Sequence, residues 1–128
     1  MNHAPTLVAA LLFSSAAAAA QTASMGLIVG SVHAPLPVGA TNQTPGLYLR
    51  SGALMAGWYR NSYGSASVFA TRDFACGPVR CLVGAATGYA WFPVVPVLGF
   101  TQTFGPARFS LTAGRHSVVL TTALEGSL

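Results

Sequence analysis

Charge is what this 128-residue chain lacks most: Asp, Glu, Lys and Arg together make up 6% of it, against about a quarter in an ordinary globular domain. Lysine is absent. The basic residues are Arg50, Arg60, Arg72, Arg80, Arg108 and Arg115, and Asp73 and Glu125 are the only acids. A net charge of +4 spread singly along the chain makes no basic run, which sets nucleic acid aside as a partner. Isolated guanidinium groups suit anionic lipid headgroups, whose phosphates they match bidentately, or a solvated rim that keeps the protein soluble. Cysteine is scarce as well. Cys76 and Cys81 bracket a Gly-Pro turn, and in an exported protein such a pair is most simply a disulfide closing a hairpin. No further ligands stand close enough to make the pair a metal site, and no cofactor is expected. Disorder is excluded, because 52% of the chain is hydrophobic and disordered segments are charged and poor in aromatics.

What is present begins with an apolar run at 7–13 and the small-residue pattern Ala18-Ala19-Ala20 before Gln21. Residues 1–24 read as a secretory signal peptide, although no Lys or Arg precedes the apolar run. An uncleaved helix is the alternative, but the segment is short and Ala-rich for a span of about 20 apolar residues. Residues 25–128 then form one small domain.

That domain alternates. Leu27, Val29, Ser31 and His33 share one face of a first strand, opposite Ile28, Gly30, Val32 and Ala34. Leu54, Ala56 and Trp58 share a face of a later one. Ser65, Ser67, Phe69 and Thr71 lie opposite Ala66, Val68 and Ala70. Gly84 and Gly88 mark barrel curvature or the close approach of a ligand. Pro93 and Pro96 forbid a helix in the most apolar stretch and interrupt hydrogen bonding between strands. Arg108, Ser110 and Thr112 oppose Phe109 and Leu111. Val118, Leu120 and Leu124 oppose Ser117 and Thr121, with Gly114-Arg115-His116 as the turn between. Short strands of this spacing with no credible helix predict an antiparallel all-β fold, sandwich or barrel. Scarce charge, with Ser and Thr as the polar members of the alternation, favours a small up-and-down barrel of about eight strands, one face in lipid and the other around a filled interior.

Asn61 and Ser62 stand at a strand tip between Tyr59 and Tyr63. Such a corner is either reactive or an ordinary polar turn. The landmarks run in order: Ser31-Val32-His33, Asn42 to Leu47 with its Pro-Gly, Tyr59-Arg60-Asn61-Ser62-Tyr63, Thr87-Gly88-Tyr89, Pro93 and Pro96, and Phe104-Gly105-Pro106-Ala107-Arg108-Phe109. Over 25–124 this order resembles the lipid A palmitoyltransferase family of small outer-membrane barrels, more closely its short phage- or proteobacterial-type relatives. The resemblance implies a monomer in the outer membrane that moves an acyl chain from a phospholipid to lipid A of the lipopolysaccharide, without a cofactor. It implies His33 as general base, Ser62 as the hydroxyl it activates, Asn61 where the family has Asp, and Pro93 and Pro96 as the gate for lipid entry.

Asn can orient an imidazole but cannot stabilise imidazolium by charge, and Asp73 is the one acid in the neighbouring hairpin. The family's long N-terminal helix, longer loops and terminal aromatic are absent. Two other readings stand beside the enzyme: a barrel that binds lipid or alters the envelope without turnover, and a soluble periplasmic sandwich serving as an interaction module. Trp58, Tyr59, Tyr63, Tyr89, Trp91 and Phe92 suit an interfacial belt or a soluble core.

Overall fold

In the computed structural model the described residues are 23–115 and 117–128. The expected signal peptide lies outside them except for Ala23 and Ser24, which open the first strand; His116 lies outside them too. Eight strands follow: β1 (Ala23–Ala34), β2 (Gly46–Ser51), β3 (Leu54–Arg60), β4 (Ala66–Cys76), β5 (Val79–Ala86), β6 (Val95–Phe104), β7 (Ala107–Ala113) and β8 (Val118–Ser127). Each pairs antiparallel with its neighbour in the chain, and β8 pairs back onto β1 to close the barrel. The fold is therefore the up-and-down barrel of the two all-β alternatives. Closure leaves no sheet edge unpaired along its whole length.

The two ends of the barrel differ. At one, strands join through the pairs Gly52-Ala53, Gly77-Pro78 and Gly105-Pro106, and in each the glycine has φ between 58° and 73°. Two-residue hairpins need a positive φ at the first position to match the twist of the strands, and glycine adopts it without a clash. At the other end the connections are longer, spanning 35–45, 61–65, 87–94 and 114–117. The described chain begins and ends at the turn end, where Leu128 donates its N–H to the Ala23 carbonyl. The disulfide Cys76–Cys81 ties the β4–β5 hairpin at this end, as its Gly-Pro turn predicts.

One register departs from simple alternation. Leu27 and Val29 face outward, 49% and 56% exposed, whereas Ile28 and Ser31 are each 8% exposed and point inward. The expected shared face of Leu27, Val29, Ser31 and His33 is thus broken in the middle. The cause is a bulge in the β1–β8 ladder between Ile28 and Gly30, whose extra residue reverses the parity of the rest of the strand. His33 is thereby turned into the barrel.

The interior has two zones. Ile28, Met55, Phe69, Ala86 and Ala123 make an apolar middle, with Tyr48 laid across it. The Tyr48 ring fits because residue 26 is glycine; a Cβ there would overlap it. Towards the turn end lies an ionic floor. Arg108, 4% exposed, bridges Asp73 at 3.4 Å and Glu125 at 3.7 Å. Arg50 pairs with Glu125 at 2.8 Å and Arg80 with Asp73 at 3.1 Å, while the Tyr48 hydroxyl donates to Glu125. Arg50 and Arg108 are therefore neither rim groups nor headgroup ligands, as their isolation in the sequence suggested, but partners of the two acids inside the barrel, while Arg80 reaches Asp73 from an exposed position.

The outer surface is apolar on every strand, with large side chains such as Leu27, Leu49, Val83, Phe100, Leu111 and Leu120 between 39% and 50% exposed. Arg60 and Arg72 flank this band near opposite ends of β3, Arg72 through its pairing with Leu54. Large exposed apolar patches mark surfaces that meet a partner or a membrane.

Candidate functional site

A cavity of about 610 Å³ runs from Pro37, Trp91 and Arg115 at the loop end down to Arg108 on the ionic floor. Its walls are mainly the apolar side chains of the middle zone. His33, Ser62 and Tyr89 line its mouth.

His33 owes its setting to a mismatch of strand lengths. β1 pairs with β2 only as far as Ile28, so its last turn of backbone needs other partners. Residues 35–45 supply them. Ser31 N–H donates to the Asn42 carbonyl at 3.1 Å, and His33 N–H donates to Asn42 Oδ1 at 3.1 Å. The same Oδ1 lies 2.9 Å from His33 Nδ1. Because the backbone N–H can only donate, that atom is the amide oxygen, and an acceptor there keeps the proton of the neutral ring on Nδ1. Nε2 is left with its lone pair, the form in which an imidazole acts as a base. Asn42, not Asn61, orients His33. Sequence reasoning placed Asn42 among the landmarks without a role; the one signal for it was a carboxamide in the loop that directly follows the histidine strand.

Ser62 is 8% exposed and lines the same cavity as His33. Its carbonyl accepts from Thr41 N–H at 2.8 Å, which ties the Ser62 turn to the loop that holds His33. No hydrogen bond joins the His33 ring to the Ser62 hydroxyl among the described residues.

Asn61 is completely buried and spends its amide on its surroundings. Oδ1 accepts from Tyr63 N–H and Ser65 N–H at 3.0 and 3.1 Å. Nδ2 donates to Ser67 Oγ and to the Gly88 carbonyl at 3.0 and 2.9 Å. Two lone pairs and two N–H groups are thus all satisfied. An aspartate at this position would turn an oxygen towards the Gly88 carbonyl, which explains the carboxamide. Asn61→Ala is expected to cost about 1–3 kcal/mol, the usual penalty for stranding buried donors and acceptors, read as a lowered urea midpoint of the folded barrel. Asp73 stands on the ionic floor with Arg80 and Arg108, so it does not serve His33.

Aromatic side chains collar the mouth. The Tyr59 and Tyr89 hydroxyls bond to each other, and burial pushes the Tyr89 hydroxyl up from its ordinary pKa. Trp91 lies 5.2 Å from Tyr63 and 5.0 Å from Tyr89, ring centre to ring centre. Arg115 sits 5.1 Å above the Trp91 ring. Trp58 faces outward instead, 45% exposed, whereas Phe92, 63% exposed, still lines the cavity at its mouth.

The wall beside the mouth is incomplete. β6 pairs with β5 from Val95 onward, but its ladder with β7 starts only at Gly99, opposite Thr112. Residues 95–98 therefore lack strand partners on the β7 side, and Pro96 among them has no N–H to offer. Pro96 and Leu98 line the cavity although both alternate outward. Pro93 sits in the preceding loop and is not among the lining residues. The structure thus gathers His33, Ser62 and Pro96 around one cavity, with Asn61 behind the mouth as a buttress.

Comparison with protein-family models, with curated proteins and with solved structures returned no match. The functional reading rests on this geometry.

Proposed function

We propose that this protein is an outer-membrane barrel of the lipid A acyltransferase type. It draws an acyl chain of a phospholipid into its interior and transfers it at the loop-end mouth. The observation that carries this reading is the apolar cavity of about 610 Å³ with His33 and Ser62 on its rim. A hollow with such walls suits an aliphatic occupant. The apolar outer band, the short turns at one end and the longer loops at the other agree with an outer-membrane-type barrel. Strand lengths bear on it too: β1, β4, β6 and β8 have 10 to 12 residues, enough to span when tilted, and the unpaired stretch at 95–98 offers a lateral route from lipid to cavity.

In the proposed reaction His33 Nε2 takes the Ser62 proton as the hydroxyl oxygen attacks the ester carbonyl. The ester C–O bond breaks, the lysophospholipid oxygen leaves with the proton from His33, and the acyl group rests on Ser62. The acceptor hydroxyl then attacks the acyl-serine, His33 takes its proton, and that proton returns to Ser62 as the acyl group departs. The His33–Ser62 bond forms when substrate fills the mouth, as catalytic hydrogen bonds commonly tighten in the complex. Mass analysis of lipid A from cells with and without the protein tests the reading. An added acyl chain supports it; none, with folded protein in the membrane fraction, rejects the enzyme.

A second reading, a barrel that binds lipid without turnover, is favoured by one observation. Both acids of the chain stand on the ionic floor, so no carboxylate compensates a charged His33. Ser62→Ala separates the two readings: loss of the phenotype with intact folding supports transfer, and an unchanged phenotype supports binding alone.

A further inference from the structure

Charge is divided unevenly between the two ends. Asp73 and Glu125, the chain's only acids, are both consumed on the floor by Arg50, Arg80 and Arg108. The loop end carries Arg60 and Arg115 and no acid. Of these two, Arg60 closes β3 on its outer face, in the row of Trp58, whereas Arg115 lines the mouth of the cavity.

Arg115 is held there by more than its own backbone. Gly114 N–H donates to the Ser117 carbonyl at 2.7 Å, which closes the turn that carries it. Its guanidinium lies over Trp91, and Trp91 is in turn wedged by Tyr63 and Tyr89. Arg115 has no ion-pair partner among the described residues. A guanidinium held over an aromatic face by its charge still has N–H groups for another acceptor. Those donors form a fork that fits two oxygens of one phosphate. Ser62 adjoins Tyr63, so an anion held by this fork sits at the rim where an acyl chain enters.

We propose that Arg115, fixed on Trp91, binds the phosphate of an acyl-bearing lipid and so seats its headgroup at the mouth while the chain fills the cavity. This rests on the acyl-chain reading above and adds the headgroup chemistry to it. The test uses the full chain folded in a neutral, phosphate-free detergent, with Trp58→Phe so that fluorescence reports Trp91. Three probes are titrated: dodecyl phosphate, dodecanol and inorganic phosphate.

Dodecyl phosphate is expected to bind at least about tenfold more tightly than dodecanol, the scale of one charge-assisted contact. Arg115→Gln should remove that preference without weakening dodecanol, Arg115→Lys should keep part of it, and Arg60→Gln should leave it intact. Equal binding of the two dodecyl probes by the parent protein overturns the phosphate site while leaving the acyl cavity standing. Displacement by inorganic phosphate at matched concentration overturns the lipid source, and equal loss in Arg60→Gln overturns the assignment to Arg115. Failure of both dodecyl probes to bind removes the acyl-chain reading and this proposal with it.

Discussion

Alanine at His33 is expected to lower acyl transfer by about 10²–10⁴-fold, the usual contribution of a positioned general base, while the barrel stays folded. The ring is half-buried at the mouth and its hydrogen bond runs to a loop amide, so little packing is lost with it. Asn42→Ala is the informative companion. It leaves the imidazole in place but removes the oxygen that fixes its tautomer and angle, and a loss of about tenfold follows from mispositioning alone. Both are checked by transfer rates in vesicles, with heat-modifiable migration on a gel as the measure of folding. A His33→Ala variant as active as the parent contradicts the assignment.

The largest effect on stability is expected at Arg108. Its guanidinium faces both carboxylates of the chain from a site 4% exposed. Arg108→Met removes the bridge and leaves Asp73 and Glu125 buried at 5% and 9% side-chain exposure, each with a single arginine. Each carboxylate keeps one guanidinium but loses the second while staying out of water, and the unmade charged contacts cost about 2–3 kcal/mol. That is a large share of the 5–15 kcal/mol that holds a typical domain. The urea midpoint of the folded barrel should fall accordingly, and adding Asp73→Asn should recover part of the loss. A midpoint unchanged in Arg108→Met contradicts the floor as a structural element.

The strands were legible because side-chain alternation is local: Ser67, Phe69 and Thr71 line one face in the sequence and in the barrel alike. The disulfide was legible for the same reason, its cysteines being five positions apart. The bulge at Ile28/Gly30 was not, since one extra residue leaves the composition of a strand unchanged while reversing every face beyond it. Nor was the floor: Arg50 and Glu125 are 75 positions apart and meet only when β8 closes on β1. The candidate site was half legible. His33 and Ser62 were found by type and order and do share a cavity. The orienting carboxamide was sought beside the serine, where Asn61 is consumed by its own turn, rather than in the loop that completes the short edge of β1.

The account depends on a lipid chain entering the hollow. Native mass spectrometry of the barrel released from phospholipid vesicles measures this directly, with Ala86→Trp as the comparison, since Ala86 is 1% exposed and faces the cavity. One acyl-bearing lipid per barrel, lost when the tryptophan fills the space in a variant that still folds, is the predicted result. A parent barrel that flies empty, or equal occupancy in the two proteins, contradicts it.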